Sequence, residues 1–351
     1  MGLRNWKSSL QLFITRRCQL RCRYCAVIKN DADMPLSTAL KGVDMLLGSR
    51  SPHLTLEFYG GEPLLAFDVL KKSTEHAARR GKLLGKTFSF HIATNALLLD
   101  DRKLEWMAKH KFLVVLSWDG APGTHNRERV AGRGGLDTYE VLRRKVEKVL
   151  RSGVDCSVIP VATPASVKDL AVNLEHLLGH GIRSFDLNYS IGVAWDRRAQ
   201  DEYFAQMRRF AKRHRRELAA GEIRIGNLRG DVEPGVINPE FTVDTDGNIR
   251  LLTEWLMESA APGAPTPRAL GNVLDAPAYD SLYINRFHCA RAHFTMYARD
   301  ARQRRILINN IDFGRRYGEF FMDLRRWISR AAPELHPEEP PRPREIRAYA
   351  P

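Results

Sequence analysis

Hydrophobic positions between residue 8 and about residue 220 follow two alternating patterns. Short runs of apolar and β-branched residues alternate with longer segments in which apolar residues recur at helical spacing. Runs that are apolar at nearly every position are typical of strands buried on both faces of a parallel sheet. We therefore predict six strands, at 9–15, 54–60, 88–94, 112–118, 156–162 and 184–190.

A helical pattern follows each predicted strand, at 37–48, 66–84, 101–110, 138–151, 166–179 and 199–219. Strand and helix in regular alternation predict an α/β fold with a parallel sheet curved into a full or partial barrel. In such folds the active site is built by loops at the carboxyl ends of the strands. Those loops are where chemistry is expected.

The alternation stops after residue 220. The stretch 241–252 predicts a β-hairpin, because Asp246-Gly247 is a turn signal between two alternating runs. A Pro- and Ala-rich loop is expected at 260–269, followed by a basic helical stretch to about residue 331. The tail is too rich in proline and charge to join a core, so we expect it to be extended or disordered. The predicted units are 1–225, 226–331 and 332–351.

Net charge and the distribution of apolar residues limit the classes of function that this chain can have. The 351 residues carry a formal net charge of +14, which could attract an acidic partner. The basic residues are spread over several helical segments and accompany no nucleic-acid-binding motif, so a nucleic-acid role is not favoured. With no apolar run of membrane length and no signal-peptide pattern, we expect a cytoplasmic protein without a membrane partner.

Three of the five cysteines stand close together, directly after the first predicted strand. Cys18, Cys22 and Cys25 form C-x3-C-x2-C, a local thiol cluster suited to soft metal centres. Three thiolates can hold an iron–sulfur cubane and leave its fourth iron open to a ligand. The neighbouring arginines are expected to lower the thiol pKa values. The alternative is a zinc knuckle or buried free thiols, although no fourth zinc ligand follows at the usual spacing.

This cluster, with Tyr24 before its last cysteine, resembles the signature of the radical S-adenosylmethionine superfamily. The resemblance implies that Tyr24 is one of the cofactor-binding residues. The resemblance implies one [4Fe–4S] cluster whose open iron is chelated by the amino and carboxylate groups of S-adenosylmethionine. An electron from the cluster would cleave the sulfonium, and the 5′-deoxyadenosyl radical would abstract hydrogen from a substrate. The protein itself would orient the cofactors and exclude water.

The second strand ends in Gly60-Gly61-Glu62-Pro63, which is similar to the family's GGEP motif residue for residue. Two glycines let the backbone approach a ligand closely, and an acidic group beside them can pair with an ammonium. The resemblance implies that this segment holds the methionyl amino group. A simple turn with a chance glutamate is the alternative.

The third and fourth strands end in Thr94-Asn95 and in Ser117-Trp118-Asp119-Gly120. These resemble the TNG and S-x-DG strand ends of one subgroup, which implies that Thr94, Asn95, Ser117 and Asp119 meet the ribose and methionyl parts of the cofactor. Ala96 stands where the first motif has glycine.

Arg129 closes a stretch, 125–129, that looks like the subgroup's H-D-x-x-R, with Asn126 in place of aspartate. The implied role of Arg129 is to pair with the methionyl carboxylate, for which a guanidinium fork is suited. Taken singly, these polar residues could equally be turn or cap residues.

The hairpin and the later Gly271-Asn272-Val273 resemble the SPASM or twitch extension of this subgroup, but without its cysteines. We therefore expect a partial (β/α)6 TIM-like barrel with a small SPASM-like α+β extension that has no auxiliary cluster. Cys156 and Cys289 are then buried structural thiols. Glu254 and Asp244 are candidate catalytic residues; the alternative is that they are solvated hairpin carboxylates.

The resemblance implies radical modification of a peptide or protein side chain, as in natural-product peptide maturation. The alternatives are modification of a small biosynthetic intermediate and a non-enzymatic iron–sulfur scaffold or sensor. The expected partners are an electron donor such as flavodoxin or ferredoxin and, because no leader-binding segment precedes residue 8, a separate leader-peptide-binding protein.

Overall fold

The computed structural model describes residues 8–132, 134–229, 237, 240–251, 269–282, 289–291, 293–294 and 301–330. The fold is a mostly parallel sheet with helices on its convex face. Its strands are β1 (Ser9–Thr15), β2 (His53–Gly60), β3 (Thr87–Thr94), β4 (Phe112–Leu116), β5 (Asp155–Val158), β6 (Val161–Ala162), β7 (Ser184–Phe185), β8 (Asn188–Tyr189), β9 (Arg224–Ile225), β10 (Phe241–Val243), β11 (Asn248–Leu251) and β12 (Gly271–Asn272).

The helices alternate with the strands through most of the chain. They are α1 (Leu36–Leu47), α2 (Phe67–Leu83), α3 (Asp101–Lys109), α4 (Pro122–Glu128), α5 (Thr138–Arg151), α6 (Leu170–Gly179), α7 (Arg197–Arg213), α8 (Arg215–Ala219) and α9 (Ala301–Ser329). Aspartates cap three of them: Asp100, Asp137 and Asp196 each accept a hydrogen bond from a backbone N–H in the first turn of α3, α5 and α7. No helix among the described residues is long and apolar enough to cross a membrane.

The main sheet has the strand order β12-β11-β10-β1-β2-β3-β4-β5-β7-β9, and all its neighbours from β10 to β9 are parallel. Within the described residues it is an open sheet rather than a closed barrel. The prediction of an α/β fold with a partial barrel is confirmed. The β6–β8 pair forms a separate two-stranded sheet.

Two predicted strands are each split in two. The run 156–162 divides into β5 and β6 around Pro160, and the run 184–190 divides into β7 and β8. Proline lacks an N–H for the sheet ladder, so it interrupts a central strand. The single predicted strands are wrong here, because the second halves leave the main sheet and pair with each other.

The predicted hairpin is confirmed, and it extends the main sheet. β10 and β11 are antiparallel, with Gly247 at φ +83° in the turn between them. β10 also lies parallel to β1, with Gln11 beside Thr242. The hairpin is therefore placed directly next to the strand that leads into the cysteine loop.

Alternation along the strands decides which side chains face the helices. Leu12, Leu56 and Val114 are fully buried in the core between sheet and helices. The residues between them face the concave side, where register places Gln11, Glu57, His91, Leu113 and Asp155 in one row across β1 to β5. This row crosses the interior below the ends of the strands.

The basic helical stretch predicted to end near residue 331 is the long helix α9. Phe313, Tyr317 and Phe321 form its buried face, and the Tyr317 hydroxyl donates a hydrogen bond to the Leu187 carbonyl at 2.6 Å. The Pro- and Ala-rich loop lies outside the described residues except for residue 269, and so does the whole tail at 332–351. The division into 1–225, 226–331 and 332–351 stays a prediction.

Candidate functional site

The cysteine loop follows the carboxyl end of β1 and is held by backbone hydrogen bonds. The Arg21 and Arg23 N–H groups donate to the carbonyls of Val130 and Glu128 at 2.7 and 2.8 Å, so the loop pairs with the end of α4 and the residues that follow it. Cys18, Cys22 and Cys25 are partly exposed and none is in a disulfide. Three free thiols therefore lie on one short, anchored loop.

The glycine pair at the end of β2 packs against the backbone that leads into this loop. The Gly61 and Glu62 N–H groups donate to the carbonyls of Thr15 and Arg17, both at 2.8 Å. Gly60 has φ +136°, and a Cβ on Gly61 would lie 2.1 Å from the Arg17 oxygen. The close approach that the two glycines predict is thus, in this structure, an approach to the cysteine loop itself.

Glu62 joins the ends of β2 and β3. Its carboxylate is fully buried and accepts hydrogen bonds from the Thr94 hydroxyl at 2.7 Å, the Asn95 N–H at 2.8 Å and the Leu64 N–H at 3.1 Å. Burial raises the pKa of Glu62 to about 7, against the effect of these hydrogen bonds. Pro63 follows at the start of a buried 3-10 turn. Glu62 therefore fixes the spacing of two neighbouring strand ends.

The end of β3 reaches the first cysteine. The Asn95 side-chain Nδ2 lies 3.9 Å from the Cys18 Sγ, and the Leu20 N–H lies 3.4 Å from the same sulfur. Ala96 takes φ +64° and is fully buried, so it adopts the left-handed conformation that the glycine of the TNG motif would adopt without strain. Ala96 is therefore held in a backbone conformation that glycine would adopt at lower cost.

Tyr24, Asp119 and Arg129 form one connected group beneath the loop. The Asp119 carboxylate accepts hydrogen bonds from Arg129 Nε and Nη2, both at 2.9 Å, and from the Tyr24 hydroxyl at 2.7 Å. The Arg129 guanidinium also lies 5.3 Å from the centre of the Tyr24 ring. The Val161 N–H donates to Asp119 at 3.0 Å. The end of β4 is thereby connected to the residue that precedes Cys25.

The structure brings together the predicted residues of four strand ends. Gly60 to Pro63, Thr94, Asn95, Asp119 and Arg129 all contact the cysteine loop, one another, or both, and the half-buried Ser117 donates its N–H to the Thr94 carbonyl at 2.9 Å. The Asp119 contact leaves the Nη1 nitrogen of Arg129 outside the pair. Their roles toward a cofactor stay predictions.

The expectation that neighbouring arginines lower the thiol pKa values is wrong for two cysteines. Burial raises the pKa of Cys18, and it raises that of Cys22 to about 11. The arginines next to the loop are engaged elsewhere: Arg16 pairs with Asp244 and Arg17 with Asp33. Desolvation therefore outweighs the nearby positive charge.

Asp244, a candidate catalytic residue, is not a solvated hairpin carboxylate, so that alternative is wrong. Its side chain is almost fully buried and pairs with Arg16 at 3.1 Å and Arg250 at 3.2 Å. These ion pairs join the hairpin to the residues just before Cys18. Catalysis by Asp244 remains a prediction, and Glu254 lies outside the described residues.

Sequence reasoning did not single out the cavity beside the loop. A cavity of about 170 Å³ is lined by Cys18, Gln19, Lys29, Asp31 and four of their neighbours. The sequence signal is that all of these residues except Leu65 lie within a few positions of the cysteines. Of the other two thiols, Cys289 is fully buried, as expected. The expectation of a buried thiol is wrong for Cys156, which is partly exposed and lines a second cavity, although desolvation still raises its pKa to about 12.

Comparisons with known proteins identify the relatives of this chain. A family model described as the Radical SAM superfamily matches residues 12–177. An uncharacterized protein of Methanocaldococcus jannaschii is 29% identical over 182 residues, which are 51% of this chain and 62% of that protein. The cysteine-type anaerobic sulfatase-maturating enzyme of Clostridium perfringens is 27% identical over 154 residues, which are 42% of this chain and 41% of that enzyme. The matches thus span about two fifths to three fifths of these relatives.

Solved structures share the fold across more of the chain. Native anSMEcpe with bound AdoMet superposes with a TM-score of 0.72 at 17% identity and covers 93% of this chain and 99% of that one. SuiB of Streptococcus suis bound to S-adenosylmethionine gives 0.57 at 16% identity, with 82% and 68% covered. Residues 12–177 of this chain therefore form a radical SAM domain, the domain of an enzyme superfamily that uses a [4Fe–4S] cluster and S-adenosylmethionine.

Proposed function

We propose that the protein is an enzyme that cleaves S-adenosylmethionine reductively and abstracts hydrogen from a peptide or protein side chain. The observation that carries the proposal is the convergence of Cys18, Cys22 and Cys25 with Asn95 and the Gly60-Gly61 pair at one edge of the sheet. The curated relatives include proteins named as cysteine-type and serine-type anaerobic sulfatase-maturating enzymes, which supports a protein substrate.

The residues fit an iron–sulfur cluster. Cysteine thiolates are the usual protein ligands of such clusters, and the three thiols on this loop are free. The Leu20 N–H and the Asn95 amide both point toward the Cys18 sulfur, and hydrogen bonds to cluster sulfurs tune the reduction potential. When bound, the reduced cluster would supply the electron that splits S-adenosylmethionine into methionine and a hydrogen-abstracting radical.

The chain's own residues would bind and orient the methionine derivative. We assign this role to the backbone of Gly60 to Pro63 and to the side chains of Thr94, Asn95, Ser117, Asp119 and Arg129. Because Asp119 already holds two nitrogens of Arg129, only the Nη1 end could meet a carboxylate without breaking that pair. Tyr24 would then keep the loop and the guanidinium in a fixed relation.

We propose one cluster per chain. The full sequence has five cysteines, and three of them stand in the loop. Cys156 and Cys289 alone provide too few thiolates for a second cubane held by cysteines. Because such thiols and clusters persist under reducing conditions, we also propose a cytoplasmic location and a reduced flavodoxin or ferredoxin as the electron source. A separate leader-peptide-binding protein is a further proposed partner.

Modification of a small molecule is the second candidate. The chain is 27% identical over 203 residues to a protein named pre-heme d1 synthase of Dinoroseobacter shibae, a match that covers 56% of this chain. That name denotes a small biosynthetic molecule rather than a protein.

The proposal is tested on anaerobically purified and reconstituted protein, with iron content and 5′-deoxyadenosine measured after dithionite and S-adenosylmethionine are added. We expect about four irons per chain and formation of 5′-deoxyadenosine. Both should be lost when Cys18, Cys22 and Cys25 are changed to Ala. The matched control, Cys156→Ala, also removes thiol but should keep both.

Two other results would contradict parts of the proposal. About eight irons per chain would mean a second cluster. A cluster that never yields 5′-deoxyadenosine would favour the scaffold or sensor alternative. Incubation with peptide pools and with metabolite extracts, followed by mass spectrometry, separates the two candidate substrate classes.

A further inference from the structure

A second cavity lies at the end of the sheet opposite the cysteine loop. It has a volume of about 340 Å³ and is lined by residues at or just beyond the short strands β5, β7 and β9, by Ser89 and His91 of β3, and by residues at the start of β4. Its charged lining consists of Lys111, Arg224, Arg229, Asp155 and Asp186, together with His91. Pockets of this size hold a small ligand or one or two side chains.

The three cations that line this cavity lie at the protein surface. Lys111, Arg224 and Arg229 are exposed, and none makes an ion pair with another residue in the described part of the chain. Lys111 takes φ +55° in the tight turn between α3 and β4, where its N–H donates to the Ala108 carbonyl. Cations on solvated helix faces are often paired with neighbours, as Arg143 is with Glu140. Here they converge on one cavity instead.

The two carboxylates restrict the kind of anion that fits. Asp186 accepts a hydrogen bond from the Ser157 hydroxyl at 2.7 Å, and it lies so close to Gly226 that a Cβ there would be 2.0 Å from its Oδ1. Asp155 is exposed at the rim. Carboxylates would repel a phosphate chain, but they can accept hydrogen bonds from peptide N–H groups.

We propose that this cavity binds an acidic segment of the peptide substrate, with its carboxylate on Lys111, Arg224 and Arg229 and its backbone N–H groups on the two aspartates. Only the identity of the occupant as substrate rests on the proposed function; the binding itself does not. A peptide has both acidic groups and N–H donors, whereas a nucleic-acid backbone has no N–H donor for the aspartates. The segment would lie away from the reacting residue, because the cavity and the cysteine loop are at opposite ends of the strands.

The test is fluorescence anisotropy with a labelled peptide of alternating glutamate and glycine, titrated with the full-length reconstituted protein. The variant K111E/R224E/R229E should weaken binding about tenfold or more. The matched control R198E/R209E/K212E reverses three exposed cations on α7 and changes the net charge equally, so it should bind as the wild type does. The glutamine counterpart of the peptide should bind poorly.

Three outcomes would overturn the proposal: no binding of the acidic peptide, equal weakening by the control variant, or tighter binding of a single-stranded oligonucleotide that displaces the peptide. Formation of 5′-deoxyadenosine is measured on the same samples. If it persists in K111E/R224E/R229E while peptide affinity falls, the cavity binds peptide and the cofactor chemistry is intact. If it is absent even in the wild type, the proposed function fails while the binding result still stands.

Discussion

The two ends of the barrel differ in how their charged side chains are buried and paired. At the carboxyl end, Asp119 and Arg129 are buried, with side-chain exposures of 0% and 7%, and are fixed by hydrogen bonds on several sides. At the amino end, Lys111, Arg224 and Arg229 are exposed and unpaired within the described residues. A buried charge must be paired because its desolvation is costly, whereas an exposed cation needs no partner.

This difference separates a preorganised site from an accessible one. The carboxyl end can hold a cofactor in one geometry because its charged side chains cannot rearrange independently. At the amino end the three cations are exposed and have no ion-pair partner among the described residues, so a mobile ligand can reach them. Substitutions of the buried charged residues at the carboxyl end should therefore lower the free energy of unfolding more than substitutions of exposed charged residues.

The largest effect is expected for Asp119→Ala. It removes the acceptor of Arg129, Tyr24 and the Val161 N–H and leaves a buried guanidinium unpaired. We expect a loss of about 3–5 kcal/mol in the free energy of unfolding, measured by urea denaturation. Because this variant could fail to fold, Asp119→Asn is the second variant: it keeps the side-chain volume, removes the charge and replaces one acceptor oxygen with an amide donor.

The control for Asp119 is an exposed pair. Asp323 and Arg326 have side-chain exposures of 75% and 70%, and Asp323→Ala should change the unfolding free energy by less than about 1 kcal/mol. Similar losses for Asp119→Asn and Asp323→Ala would remove the contrast between buried and exposed charge.

An intermediate effect is expected for Glu57→Gln, in the row between the two ends. Although 38% of its side chain is exposed, desolvation raises the pKa of Glu57 from its usual 4.5 to about 7; the nearby Glu240 carboxylate adds to this rise, and the Gln11 hydrogen bond opposes it. The Nδ1 atom of His91, on β3, lies 3.8 Å from the Oε1 atom of Glu57. Between these two pKa values the folded protein keeps a proton that the unfolded chain has released, so rising pH favours unfolding.

The stability of the wild type relative to Glu57→Gln should therefore fall as the pH rises through this window and level off above about 7. Chemical denaturation at a series of pH values measures it. The exposed Glu105→Gln is the matched control, for which the difference should stay flat. A flat difference for Glu57→Gln as well would show that this carboxylate is not desolvated.

The smallest effects concern two residues with left-handed backbones, one at each end. Lys111→Gly should raise the unfolding free energy by about 0.5–1 kcal/mol, because glycine removes the strain and no buried group is lost. Ala96→Gly should be nearly neutral, since a similar gain is offset by losing a buried methyl group worth about 0.8 kcal/mol. A clear gain for Ala96→Gly would mean that its methyl packs poorly.

Much of the barrel could be predicted because its signals are local. The apolar runs at β1 to β4 and the position of Cys18, Cys22 and Cys25 after β1 are visible within a few residues of sequence. The Asp246-Gly247 turn likewise indicates the hairpin. Pro160 was a local signal too, but its consequence was missed: once the strand is interrupted, its second half pairs outside the main sheet.

Contacts between distant segments could not be predicted in this way. The burial of Asp244 between Arg16 and Arg250 depends on β10 lying next to β1, more than two hundred residues away in the chain. The raised thiol pKa values depend on how deeply the loop is covered, and the neighbouring arginines gave the opposite expectation.

The sequence by itself determined the β/α alternation, the thiol cluster and the strand-end motifs, because each is set by the identity and spacing of neighbouring residues. Only the tertiary structure decided that Glu62 joins two strand ends, that Asp119 holds Arg129, and that three cations meet in one cavity. Those facts depend on burial and on which strands become neighbours, and both are set when the whole chain packs.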